Sequence, residues 1–97
     1  MMKFADKKVF ISGGATGIGQ ATALLFAHQG AIVTIFDRDS ENGEKCLKKI
    51  LNSGGRGIFI FGNLIYPDDV EKAVKQSSHT FEGIDILINN AGVESPY

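Results

Sequence analysis

Tryptophan is absent from this 97-residue chain, cysteine occurs once, and proline and tyrosine occur twice each. A single thiol, Cys46, excludes an internal disulfide, and it has no neighbours at metal-ligand spacing. Long apolar runs are also missing, so no stretch approaches the roughly 18 residues that cross a bilayer. Met1-Met2-Lys3 is not followed by an apolar leader segment, and the expected location is cytoplasmic. Charge of one sign is nowhere concentrated: the net charge is −1, and Lys7-Lys8 and Lys48-Lys49 are too sparse to track a phosphate backbone. No nucleic-acid partner is expected from that balance. His28 and His79 stand alone near the ends of helix-like stretches, where a dipole contact or plain exposure accounts for them. No metal site is expected. With 43% hydrophobic and 22% charged residues, the composition is that of one folded domain rather than a disordered chain.

Glycine is the residue present in excess, and its placement carries the most information. Gly13-Gly14-Ala15-Thr16-Gly17-Ile18-Gly19 lies between a short apolar run, Val9-Phe10-Ile11, and an Ala- and Leu-rich stretch free of proline. The run reads as a buried strand and the stretch as a helix over 18–27, closed by Gly30. A glycine-rich turn from strand to helix leaves backbone N–H groups unpaired at the positive end of the helix dipole, where a phosphate can sit. Missing Cβ atoms let a pyrophosphate approach the main chain. The same glycines would also suit a merely tight turn.

The spacing narrows the choice. Gly13, Gly14, Gly17 and Gly19 do not satisfy G-x-G-x-x-G in any register, and no Lys-Ser or Lys-Thr follows them as in a P-loop. The pattern is G-x-x-x-G-x-G preceded by the small hydroxyl residue Ser12. A second strand-like run, 31–36, ends at Asp37, 18 positions after Gly19. That offset is close to the roughly 20 residues expected of a carboxylate that accepts from ribose hydroxyls. Asp37 could instead cap the turn Asp37-Arg38-Asp39-Ser40. Near the other end, Asp85-Ile86-Leu87-Ile88 leads into Asn89-Asn90-Ala91-Gly92.

Together these residues resemble the short-chain dehydrogenase/reductase family, whose loop reads T-G-x-x-x-G-[IL]-G and whose fourth strand ends in N-N-A-G. Ser12 stands where the family usually has Thr. The resemblance implies a cofactor seat built from Ser12 to Gly19, Asp37 and Arg38, with Asn90, Ala91 and Gly92 beside the adenosine ribose. Where the family has Asp-Val after the third strand, this chain has Asn63-Leu64. An Asn oxygen still accepts from an adenine amino group. The next positions, Ile65 and Tyr66, replace residues that often cap the following helix, so its start is expected to be poorly capped.

Strand-like runs recur at 8–12, 31–36, 57–62 and 84–89, with helix-like stretches between them. That alternation implies βαβ units and a parallel sheet. Gly43, Cys46, Leu47, Ile50 and Leu51 define one face of a helix over 40–53, capped by Ser40 or Asp39 and ended by Gly54-Gly55. A third helix starts at Pro67, packs through Val70, Ala73, Val74, Ser77 and Phe81, and stops at Gly83. The expected fold is α/β: a Rossmann-like doubly wound parallel sheet truncated to four strands and three helices. The family's strand order is 3-2-1-4, with the first two helices on one face and the third on the other. Ligand is expected at the carboxyl ends of the strands, where the Gly loop, Asp37, Asn63 and the Asn90 turn meet.

The resemblance also implies hydride transfer between nicotinamide and a secondary alcohol or carbonyl substrate. The family's Ser, Tyr and Lys for that step follow the N-N-A-G turn. Ser95 sits too early and Tyr97 lacks the x-x-x-Lys that follows the family's Tyr. The 97 residues are therefore expected to be the cofactor-binding half of a Rossmann domain, without catalytic residues and inactive alone. A non-catalytic nucleotide-binding or regulatory module is the alternative, and a ligand-free structural fragment a third. NAD is favoured over NADP, because Asp37 would face the added 2′-phosphate and two like charges a few Å apart repel by a few kcal/mol at an effective dielectric near 20. Thr16 also stands where NADP-preferring relatives often carry a basic residue. An uncovered edge at Ile86, Leu87 and Ile88 is expected to favour self-association.

Overall fold

Alternating side chains on four short strands generate two apolar faces, and three helices cover them unequally. A computed structural model describes residues 2–90. Along the chain run β1 (Lys8–Ser12), α1 (Gly17–His28), β2 (Ile32–Asp37), α2 (Ser40–Asn52), β3 (Arg56–Phe61), α3 (Pro67–Phe81) and β4 (Ile86–Asn89). All pairings are parallel in the order β3-β2-β1-β4, as the sequence predicts. Element bounds agree with the sequence reading to within two residues.

Register places Val9 beside Val33 and Ile86, and Ser12 beside Phe36 and Asn89. Val9, Ile11, Val33 and Ile35 therefore point to one face, where Ala23 and Ala27 of α1 and Cys46 and Ile50 of α2 close over them. Burial pushes the Cys46 thiol above its ordinary range, which keeps it neutral and inert in this cluster. Phe10, Phe36 and Ile60 point the other way, against Ala73, Val70 and Val74 of α3. Two helices lie on one face and one on the other, in keeping with right-handed crossovers.

Leu51 departs from the predicted packing face. It is 51% exposed, because eight residues beyond Gly43 the helical stripe has rotated off the sheet. Gly43 itself is held by contact rather than by backbone conformation: a Cβ there would overlap the Phe59 ring. The end of α3 uses two residues at positive φ, Glu82 (62°) and then Gly83 (126°), and the N–H of Gly83 reaches the carbonyl of Ser78 at 2.8 Å. Of the two candidate caps for α2, Asp39 serves, accepting from the N–H of Asn42 at 3.1 Å. The start of α3 has no side-chain cap on Tyr66, as expected. Instead Asp69 accepts from the N–H of Asn63 at 2.9 Å and Asn63 Oδ1 accepts from the N–H of Ile65 at 3.1 Å.

On the terminal strand β4, Ile86 and Ile88 pack against the two-helix core while Leu87 points to the side of α3 and is 64% exposed. The single helix there is anchored by one polar contact inside an apolar face. The hydroxyls of Thr34 and Ser77 meet at 2.7 Å, both buried. Replacing Thr34 by Val strands the Ser77 hydroxyl, which costs about 1–3 kcal/mol. In urea unfolding, Thr34→Val is expected to be the more destabilised, and the double variant Thr34→Val/Ser77→Ala to recover most of the loss.

Candidate functional site

Strand order reverses between β1 and β4, and the carboxyl ends of β1, β2 and β4 converge there. A cavity of about 360 Å³ opens at that rim, lined by Gly13, Thr16, Gly17, Ile18, Asp37, Arg38, Asp39 and Asn90. Its floor is the turn from β1 into α1. Gly13 and Gly17 adopt positive φ (76° and 58°), a conformation that costs an L side chain about 1–2 kcal/mol. A Cβ on Gly17 would meet nothing, so that backbone faces open space. Gly19 is the opposite case: a Cβ there would overlap the carbonyl of Gly13 and lie 2.8 Å from Asn90 Nδ2. Only glycine lets the first turn of α1 press onto the end of β1.

That close approach orients the amides. The first intrahelical bond of α1 runs from the N–H of Gln20 to the carbonyl of Thr16 at 3.2 Å. Among the described residues, the N–H groups of Gly17, Ile18 and Gly19 have no acceptor. Thr16 contributes no side-chain cap, and the first turn carries no acidic residue. Of those three residues, Gly17 and Ile18 line the cavity at the positive end of the helix and are open to an external anion, while Gly19 is buried.

Asp37 faces them from the tip of β2, with its carboxylate held on two sides. Oδ2 accepts from the N–H of Ala15 at 3.1 Å, and Oδ1 from the N–H of Asp39 at 2.9 Å. A carboxylate has about four acceptor directions, so each oxygen keeps one for a further donor. Arg38 beside it is exposed. Asp39 lines the cavity too, although the sequence presents it only as a helix cap. Hydrogen bonds from Asn42, first from its side chain and then from its backbone, hold the Asp39 carboxyl below the usual range. It therefore stays ionised as pH falls past the ordinary carboxylate value.

The remaining predicted residues take different places. Ser12 is buried, and its hydroxyl donates to Asn89 Oδ1 at 3.1 Å, tying the end of β1 to the end of β4. Asn90 completes that tie: its N–H donates to the carbonyl of Ser12 at 3.0 Å and its Nδ2 to the carbonyl of Gly13 at 3.2 Å. Gly14 and Ala15 are buried beneath the rim. Asn63 and Leu64 are not among the cavity-lining residues: Asn63 turns toward the start of α3, and Leu64 packs on the Phe10 cluster. Ala91 and Gly92 lie outside the described residues. Asp39 and Asn42 are the functional candidates the sequence reading passed over. The Asp-x-x-Asn spacing at a helix start was the available signal.

Two substitutions separate support from contact. Ser12→Ala is expected to lower stability by about 1 kcal/mol while leaving affinity for adenosine diphosphate within about twofold. Gly19→Ala is expected to lose roughly 1–3 kcal/mol through overpacking, and with it most of that affinity. Denaturant unfolding and calorimetric titration of each variant check both outcomes.

Comparison with known proteins agrees with this geometry. Residues 7–97 match the family model described as short chain dehydrogenase. The chain is 42% identical to an "uncharacterized oxidoreductase" of Thermotoga maritima, over 95% of its own length and 36% of the relative's. It is 36% identical to the cyclohexanol dehydrogenase of an Acinetobacter strain, over 94% of its length and 36% of that protein's. Among solved structures, a dehydrogenase/reductase from Sinorhizobium meliloti superposes with a TM-score of 0.89 at 30% identity, covering 92% of this chain and 36% of that one. The chain thus spans about a third of the length of the curated relatives it matches. With the loop, the strand order and the family match in agreement, this chain belongs to the short-chain dehydrogenase family, and its relatives are oxidoreductases.

Proposed function

We propose that residues 1–97 form the NAD-binding portion of an oxidoreductase that moves a hydride between nicotinamide and a secondary alcohol or carbonyl compound. The observation that carries this reading is the pairing of two open amides on α1 with the Asp37 carboxylate across one cavity. The amides of Gly17 and Ile18 suit a pyrophosphate, and Asp37 suits the two hydroxyls of an adenosine ribose. The proposed cofactor-binding set is Ser12 to Gly19, Asp37, Arg38, Asn63, Leu64, Asn90, Ala91 and Gly92. Within it, Ser12 and Asn90 act by holding the loop against β4.

The dinucleotide supplies the hydride chemistry when bound. The residues described around the cavity bind and orient. They are glycines, Thr16, Ile18, Arg38, Asn90 and two carboxylates already engaged with main-chain amides. On this reading the chemistry belongs to residues beyond these, and the 97-residue chain alone is inactive. A secondary alcohol or carbonyl as substrate is supported by the names of two relatives, the cyclohexanol dehydrogenase and a glucose 1-dehydrogenase of Gluconobacter oxydans 38% identical to this chain. The exposed Leu87 on terminal strand β4 supports association through that edge in the isolated chain.

NAD is favoured over NADP by charge. Asp37 borders the cavity from the tip of β2, and Arg38 is the one cation among the lining residues described. A 2′-phosphate a few Å from a carboxylate is disfavoured by a few kcal/mol at an effective dielectric near 20. Each 1.4 kcal/mol is a factor of ten in affinity, so even a screened fraction decides the preference. Calorimetric titration is expected to find NAD bound at least about tenfold more tightly than NADP. Asp37→Ala is expected to narrow that gap mainly by strengthening NADP binding. A tenfold preference for NADP in the unaltered protein would falsify the assignment.

A further inference from the structure

Asp37 has no salt-bridge partner among the described residues; backbone donors on two segments fix its direction. One donor, the N–H of Ala15, belongs to the buried glycine loop. The other, the N–H of Asp39, belongs to the connection between β2 and α2, and its position depends on how that connection is pinned. The pin is one backbone bond, from the N–H of Gly43 to the Asp39 carbonyl at 2.9 Å, and a pair of bonds from Asn42 to the Asp39 side chain. Asn42 Nδ2 donates to Asp39 Oδ2 at 2.7 Å, and its backbone N–H donates to Asp39 Oδ1 at 3.1 Å. A continuous line of hydrogen bonds therefore runs from α2 through Asp39 to Asp37 and on to the phosphate-facing loop.

From this geometry we infer that Asp39 and Asn42 are positioning residues for cofactor choice, holding the Asp37 carboxylate where a 2′-hydroxyl fits and a 2′-phosphate does not. The inference rests on the dinucleotide reading above and deepens it. Discrimination between two ligands that differ at one oxygen depends on where the carboxylate points. When Asp39 loses its tie to Asn42, the Gly43 N–H on the Asp39 carbonyl alone holds the connection, and the Asp39 N–H fixes Oδ1 less firmly. Asp37 then gains freedom about its side-chain torsions, with the Ala15 contact the firmer of its two. A hydroxyl loses its aligned acceptor, and a phosphate escapes part of the repulsion, so the two affinities move toward each other.

The test is the ratio of Kd for NADP to Kd for NAD, measured by calorimetry alongside thermal unfolding. Asp39→Ala removes the cap and is expected to shrink that ratio on the order of tenfold. Asn42→Ala keeps the backbone donor and loses only Nδ2, so a smaller shrinkage in the same direction is expected. Because it perturbs less, it also decides the matter should Asp39→Ala not fold. Asp39→Asn retains an acceptor for the Asn42 N–H but loses the charge and the acceptor for Nδ2, and is expected to shrink the ratio no further than Asn42→Ala. A purely structural cap would lower the melting temperature and weaken both dinucleotides alike, leaving the ratio unmoved. A ratio within twofold of wild type in both alanine variants overturns the inference, as does an Asp39→Asn ratio as small as that of Asp39→Ala, which would assign the effect to charge. A wild-type protein that takes neither dinucleotide overturns the cofactor reading and this inference together.

Discussion

The contact between the first turn of α1 and the carbonyl of Gly13 sets everything at the rim. No side chain fits at position 19, and Asn90 Nδ2 holds the same carbonyl from the β4 side. Proteins pack densely enough that a single methyl here would push the helix off the strand end. With the helix seated, Gly17 and Ile18 border the cavity with unpaired amides, and the dipole end comes with them. The Ser12 hydroxyl and the Asn90 amide bind the ends of β1 and β4 together, so the loop rests on two adjacent strands rather than one. The strand-order reversal becomes a binding place because it leaves an opening that these bonds keep in shape.

Across the cavity the logic is electrostatic. Asp37 stands opposite amides that suit an anion, yet it is itself an anion. On the proposed reading, a pyrophosphate fits at one end, while a second phosphate near the carboxylate would be repelled. The carboxylate stays in place because main-chain donors from two separate segments saturate one lone pair on each oxygen. Remaining lone pairs are directional, and direction is what distinguishes a hydroxyl from a phosphate. On the proposed reading, cofactor choice would depend on how two loops are tied, as well as on which acid ends β2.

Most of the architecture was legible in the residues because periodicity and glycine placement are local signals. Alternating Val, Ile and Phe in β1 and β2, the 3.6-residue spacing of Gly43, Cys46 and Ile50, and Pro67 at a helix start all report their structure over a few positions. Where the reading slipped, a non-local contact or a geometric drift was responsible. Leu51 rotates off its stripe, and Glu82 shares the end of α3 with Gly83, both at positive φ. Asp39 reads as a cap from its spacing, and it is one, but its second role needs the position of Asp37 in space.

By itself the sequence determined that four parallel strands alternate with three helices, and that a bare glycine turn and one acid lie near each other at the ends of neighbouring strands. Those features follow from side-chain periodicity and from the distance along the chain between motifs. Only the tertiary structure decided which amides stay open, that Ser12 faces β4, and that the N–H of Ala15 meets Asp37. Such facts depend on hydrogen-bond partners up to 77 residues apart, and no local pattern encodes which of several available donors a carboxylate or hydroxyl will meet.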